Sequence, residues 1–392
     1  MSYGNEIKLV ISDQIPKGNY VKGGVRFEGS ATTGTLLGDF AGKSQSALMN
    51  MFPFSEMAVE DMPSYTQAGV LLNVNDAFMF MPNCWRYDKS FADGTEEHWV
   101  ANYKVDQSWH KSYPGDFTRL GLSKYLANSS NSYLHSVSGV IPTVNMNQAT
   151  AMGQMPYYKR GANYRRAVYM DGRVWRQYQV LCMIYMNCRN FQNIYQGMMY
   201  SWSSGTISGD ITDERSRYTG VTEESGSVGR LGHGVVTGEI TGTSTTSSLD
   251  ANKRPFQILG IENPYGFLWT NMYGMMHNSG HLLIYKGTDP LLPANLNPNG
   301  SAAYVDVGDV LLQNEGWQVQ VCDVDGYGYV AKLGGNSSIY NGDYYWYASG
   351  YKLFIVGGSW YDGTLGGLLT LLGCNDFGLA WTDGGFRLSL EL

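Results

Sequence analysis

Gly357-Gly358-Ser359-Trp360-Tyr361-Asp362-Gly363 directly follows the apolar run Leu353-Phe354-Ile355-Val356. Four unbroken apolar residues stopped by a glycine pair read as a buried strand that runs into a turn. The small residues let backbones pass closely, while Trp360 and Tyr361 point to opposite sides. Just upstream, Asn341-Gly342-Asp343-Tyr344-Tyr345-Trp346-Tyr347 places four aromatics in a row behind a turn. In a strand they alternate faces, so two of them point outward. These rings have two readings: core aromatics at a sheet edge, or a binding face that works by stacking.

Outward from this region the pattern is short strands and turns. Leu282–Tyr285, Trp317–Val321, Tyr327–Leu333, Leu368–Leu372 and Phe386–Leu390 are strand candidates. Residues 70–81 read as a buried strand ending at Pro82, with 99–105 as its expected partner. One long helix is expected over 174–195, because Val174, Tyr178, Leu181, Tyr185 and Cys188 share a face. Met183, Met186 and Ile194 extend the apolar surface beyond that face, so the helix is expected to be wedged into a core. A shorter helix is expected within 144–160, starting near Asn145. Two helices with many short strands and abundant loops give an α+β fold.

Residues 1–64 read as a small β-rich N-terminal arm for attachment or oligomerisation. It holds a strand at Ile7–Ile11 and turns at Gly23, Gly24, Gly29, Gly34 and Gly38. Residues 65–392 form the main domain. Within it, 203–250 is a Gly/Ser/Thr-rich stretch that buries little and reads as a surface insertion.

Composition narrows the function. The chain has 392 residues, 27 Lys+Arg and 34 Asp+Glu, for a formal charge of −7. Net acidity without a block of basic residues argues against a protein that tracks nucleic-acid phosphates. No run of about 18 apolar residues is present to span a membrane as a helix, and Met1–Val10 does not read as a secretion signal. Glycine reaches 49 and tyrosine 29, while charged residues are only 16%. Low charge with rigid amphipathic rings and small turn residues resembles the make-up of recognition loops. The five cysteines, Cys84, Cys182, Cys188, Cys322 and Cys374, have no CxxC spacing. They read as buried free thiols of a chain made in a reducing cytoplasm.

Motif by motif, the chemistry is thin. Gly38-Asp39-Phe40-Ala41-Gly42-Lys43-Ser44 falls one residue short of a phosphate-binding loop. Asp323-Val324-Asp325-Gly326-Tyr327-Gly328 lacks the final carboxylate of a calcium loop and reads as a turn joining two strands. His277 and His281 are four apart without the surrounding metalloprotease pattern. No nucleophile elbow is present, and spacing nominates no carboxylate pair for glycoside hydrolysis. No catalytic residue, metal site or cofactor is therefore assigned.

Three segments taken together carry a likeness. Gly260-Ile261-Glu262-Asn263-Pro264-Tyr265-Gly266-Phe267-Leu268-Trp269, then Gly357-Gly358-Ser359-Trp360, then Gly384-Gly385-Phe386-Arg387-Leu388 resemble the C-type-lectin-like domain of the formylglycine-generating-enzyme type. More specifically, the chain resembles tail-fibre and receptor-binding proteins of bacteriophages and prophages of gut bacteria, some of them variable proteins of diversity-generating retroelements. Ser138-Gly139-Val140-Ile141-Pro142-Thr143-Val144 and the helix with Trp175, Tyr178 and Gln179 follow the same order, so the likeness covers roughly 65–392. The cysteine of the copper-dependent oxidases, the histidines of the iron-binding relatives and the calcium-lectin signatures are not found. The resemblance thus implies the scaffold and not those chemistries.

The resemblance implies a ligand face between the second and third segments, at Tyr361, Asp362, Thr364, Leu365, Leu368, Thr370, Asn375, Asp376, Phe377 and Trp381. The aromatic run adds Tyr345 and Tyr347. Gly358, Trp360, Phe386 and Arg387 are expected to serve the scaffold. The expected function is a non-enzymatic virion adhesin, made in the bacterial host cytoplasm and displayed on the virion surface as a homotrimer. Its expected partners are a host glycan or outer-membrane protein and, through the arm, other virion proteins. A structural head-fibre, collar or decoration protein is the alternative, and an oxidase or glycan hydrolase the third reading.

Overall fold

The computed structural model describes residues 20–195, 219–224, 229–236, 255–297, 302–360 and 362–392. The expected strand at Ile7–Ile11 and most of the expected insertion at 203–250 lie outside the described residues, as does Tyr361.

The best-signalled element is the helix Gly172–Met186. Asp171 caps its start by accepting a hydrogen bond from the Arg173 N–H, and Asn187 ends it in the left-handed conformation at φ 49°. Every residue from Gly172 to Tyr185 is buried. Strands of three different sheets border this helix. Its apolar residues join one core cluster with Phe27, Phe54, Met79, Leu122, Ile258, Met275 and Phe354. The wedged-helix expectation therefore holds, with the helix ending nine residues earlier than the sequence suggests.

A five-stranded sheet runs Thr35–Gly38, Lys22–Phe27, Glu96–Ala101, Trp85–Ser90, His110–Lys111. A seven-stranded antiparallel sheet runs Asn163–Arg166, Tyr157–Arg160, Ala58–Tyr65, Leu71–Pro82, Arg119–Ser123, Leu388–Glu391, Val168–Tyr169. The nine-stranded sheet contains Trp269–Asn278, His281–Tyr285, Gly316–Val324, Tyr327–Leu333, Tyr344–Tyr347, Tyr351–Val356 and Leu371–Asn375.

These sheets correct the expectation of an α+β, C-type-lectin-like fold with two helices. The fold is β-rich, with 26 strands among the described residues. The helices other than Gly172–Met186 are only four to six residues long. The expected second helix shrinks to Gln148–Gly153, capped by Asn147, because Tyr157–Arg160 and Asn163–Arg166 pair as a hairpin instead.

Three further departures concern pairing. Residues 99–105 were the expected partner of 70–81, yet Glu96–Ala101 pairs with Lys22–Phe27 and Trp85–Ser90. Leu71–Pro82 lies between Ala58–Tyr65 and Arg119–Ser123. The boundary expected at residue 64 falls inside a sheet, and Val25, Phe27, Phe40 and Phe54 belong to the same core as the long helix.

The three segments that carried the resemblance meet in space. Trp269 and Thr270 pair in parallel with Gly384 and Gly385, and Phe267 bridges to Ser359. Gly358, at φ 75°, has the Gly366 Cα where a side chain would stand, so no Cβ fits there. Arg387 is 1% exposed. Its guanidinium donates to the carbonyls of Ser123 and Lys124 at 2.8 Å and of Glu262 at 2.8 Å. Burial lowers its pKa to about 10, partly offset by Tyr178 and Glu262. Trp360 and Phe386 are buried too, in keeping with the scaffold role expected for these residues.

Candidate ligand-binding site

The expected ligand face does not form one surface. Leu368, Thr370 and Tyr345 are buried, and Tyr345 donates to the Leu312 carbonyl at 3.1 Å. Tyr347 is half-buried and stacks on His277, ring centres 5.3 Å apart. Asp362 accepts from the Ser359 backbone N–H and hydroxyl. Leu365 is half-buried, and its carbonyl accepts from the Thr370 hydroxyl. Asn375, Phe377 and Trp381 are half-buried, with Phe377 packed against the second core cluster. Thr364 and Asp376 are exposed, and Asp376 pairs with Lys352. Of the aromatic run only Tyr345 is buried, and Tyr344, Trp346 and Tyr347 are half-buried on a strand that pairs in parallel with Leu371–Asn375.

A more coherent site lies at the free edge of the seven-stranded sheet. Its last strand, Asn163–Arg166, is joined by Gly161 and Ala162 to Tyr157–Arg160. Gly161, at φ 59°, supplies the left-handed turn. Registered pairs are Tyr157 with Arg166, Tyr158 with Arg165 and Lys159 with Tyr164. Beside this hairpin runs the segment 286–292, which we term the strap. Together they enclose a cleft of about 420 Å³ lined by Tyr157, Arg160, Asn163, Tyr164, Arg165, Arg166, Asp289, Pro290 and Leu292. The lining draws side chains from both faces of the strand, so the cleft opens along the sheet edge.

Side chains hydrogen-bond the strap backbone at four of its seven residues. Arg173 donates to the Gly287 carbonyl, Arg165 and Tyr113 to that of Thr288, Tyr285 to that of Asp289 and Arg166 to that of Leu291. The Leu291 N–H donates to the Tyr273 oxygen. A wall held this way is preorganised, which lowers the ordering cost of binding. Tyr164 is 38% exposed. Its ring meets Tyr65 edge-on at 5.1 Å, and Gly69 packs behind it. The exposed Leu292 adds apolar surface to the lining.

Charge separates this cleft from its neighbours. Arg165 pairs with the buried Glu391 at 2.6 Å. Arg160 stands over the Phe117 ring at 4.3 Å, and among the described residues no carboxylate pairs with it or with Arg166. Among the described residues, Asp289 is the one acid in the lining. On the other side of the strap is a cleft of about 300 Å³ containing His110, Lys111, Arg173 and Lys286. Two of its cations are matched, Lys286 by Asp325 and Arg173 by Asp171, and His110 lies 3.1 Å from Asp323. A larger cleft, about 560 Å³, has Arg230 matched by Asp61 and Tyr125 bonded to Glu223.

Among the described residues, no group of three or more His, Cys, Asp or Glu is placed to hold a metal ion. All five cysteines are free, and burial raises the pKa of each thiol. Among the described residues, no helix is long and apolar enough to cross a membrane. No protein-family model matches this chain, and a search of curated proteins finds no match.

Sequence reasoning passed over the hairpin. Its signal was local density: Tyr157-Tyr158-Lys159-Arg160-Gly161-Ala162-Asn163-Tyr164-Arg165-Arg166 holds four of the chain's 27 basic residues and three tyrosines within ten positions. The whole-chain acidity hides this.

Proposed function

We propose that this chain is a non-enzymatic bacteriophage virion adhesin, a tail or surface fibre protein that holds a host cell-surface glycan in the cleft between the Tyr157–Arg166 hairpin and the strap. The observation that carries the reading is the preorganised tyrosine–arginine lining, with Tyr164 offering a ring face and the arginines offering donors. Amphipathic rings cover sugar faces, and a few placed polar groups set orientation. The low-charge, tyrosine-rich composition, matching that of recognition loops, supports a binding role, and the phage source is carried by the sequence resemblance.

One shallow site binds weakly, and repeated copies on a particle multiply that affinity. A homotrimer is the assembly we propose. The test is to locate the chain on intact particles and ask whether antibodies against the 157–166 hairpin block adsorption. Surface location with blocking is the expected result. Surface location without blocking favours a head-fibre, collar or decoration role. Turnover of host polysaccharide by the purified chain overturns the non-enzymatic reading.

A further inference from the structure

The geometry points to an acidic saccharide as the occupant of the strap cleft, its anionic group held by Arg166 and a ring face laid on Tyr164 on the same face of the edge strand, while Arg160, on the opposite face, adds positive charge to the rim. This rests on the adhesin reading only for the source of the sugar, a host surface. The chemistry comes from the cleft itself.

Arg166 commits one nitrogen to the Leu291 carbonyl and has no carboxylate partner among the described residues. Arg160 is exposed and stacked on Phe117, a contact that uses its π-face and leaves its N–H groups available. Arg165 is already matched by Glu391. Against the two unmatched guanidiniums stands one acid, Asp289, so the lining keeps a net positive charge within a chain of formal charge −7. Guanidinium groups take planar oxyanions through paired N–H donors, and arginine does this better than lysine. The Asp289 carboxylate is placed to accept from sugar hydroxyls. A volume of about 420 Å³ lies within the roughly 300–1,000 Å³ of small-ligand sites. The other two clefts lack this combination because their cations are mostly paired with acids.

Carboxylate and sulfate groups share the chemistry that these arginines recognise, so the experiment separates them. The full chain is titrated calorimetrically with tetragalacturonate, with its fully methyl-esterified form and with a sulfated tetrasaccharide. The acid form is expected to bind at least roughly tenfold tighter than the ester, and to weaken as salt rises. Arg166→Gln is expected to remove most of that preference, and Arg160→Gln, at an exposed position that risks no misfolding, part of it. Binding of the sulfated probe alone, with the same arginine dependence, assigns sulfate and retains the acidic class. Equal binding of acid and ester, binding indifferent to both arginine variants, or no binding of any anionic probe overturns the inference. The two readings fail separately. Cell binding that needs Tyr164 but neither arginine sinks the acidic ligand and leaves the adhesin. Saccharide binding by a chain that is hidden inside the particle does the reverse.

Discussion

The Arg165 Nη2 atom lies 2.6 Å from Glu391 Oε2, and this contact ties the edge strand Asn163–Arg166 to Leu388–Glu391 near the other end of the seven-stranded sheet. It also decides which guanidiniums in the cleft remain unmatched. Burial works against the Arg165 charge, but the Glu391 carboxylate raises its pKa above the ordinary arginine value. Glu391→Gln leaves a mostly buried guanidinium without its anion. A loss of about 3 kcal/mol is expected, read as a lower urea midpoint. An unchanged midpoint would mean that the pair contributes little to the fold.

Tyr164→Ala removes a ring that is partly exposed and supported from behind by Tyr65. Saccharide affinity is expected to fall by about 0.5–1.5 kcal/mol, the worth of one aromatic contact. Thermal unfolding is expected to move little, because few core contacts are lost. A large drop in melting temperature without loss of affinity would assign Tyr164 to the scaffold instead.

Arg387→Met keeps the bulk and removes donors from the carbonyls of Ser123, Lys124, Glu262 and Asn263. Buried acceptors left without partners cost about 1–3 kcal/mol each at most, so a loss above about 3 kcal/mol is expected by chemical denaturation. Arg387→Lys is expected to recover only part of it, since a point charge cannot reach two pairs of carbonyls. Full recovery would show that charge, and not the forked geometry, matters here.

Stability is expected to depend on pH from both sides. Burial pushes the Asp343 carboxyl up to about 8, against the pull of the Leu369 and Thr370 backbone N–H groups. The folded chain then holds a proton that the unfolded chain sheds near pH 4, so this contribution is full below about pH 4 and is lost as pH rises to about 8. Asp343→Asn is expected to flatten the stability profile across that window, with its advantage over the parent largest at pH 8. Parallel profiles would contradict this. At the acid end, burial alone would raise the Asp88 pKa, but Arg176, His98 and Arg86 together hold it well below the ordinary value. Asp323 is likewise lowered, by Arg86 and His110 against burial. Stability from these two is present above about pH 4 and lost as pH falls further.

What could be read from the sequence was local. The helix over 172–186 carried a clear three-and-four spacing, and Tyr327–Leu333 was a strand in both sequence and structure. The Asp325-Gly326 turn is found where expected, with both residues at positive φ, as a tight hairpin demands. Sheet order was not legible, because it is set by pairings such as Leu388–Glu391 between Arg119–Ser123 and Val168–Tyr169. The 340–377 aromatics misled for a related reason. A ring at a strand position looks the same in sequence whether the face it projects from is covered by another layer or by solvent. The cleft needs a contact between Arg166 and Leu291 across 125 positions, so the hairpin's basic and aromatic density alone could not locate its second wall.

The most direct test of the central claim is cell binding by the multimerised full chain, comparing the parent with the Arg160→Gln/Arg166→Gln double variant at matched folding. The strap-cleft account predicts that the double variant loses at least roughly tenfold in cell-surface affinity. Binding equal to the parent would contradict it and move the host-contacting surface elsewhere on the chain.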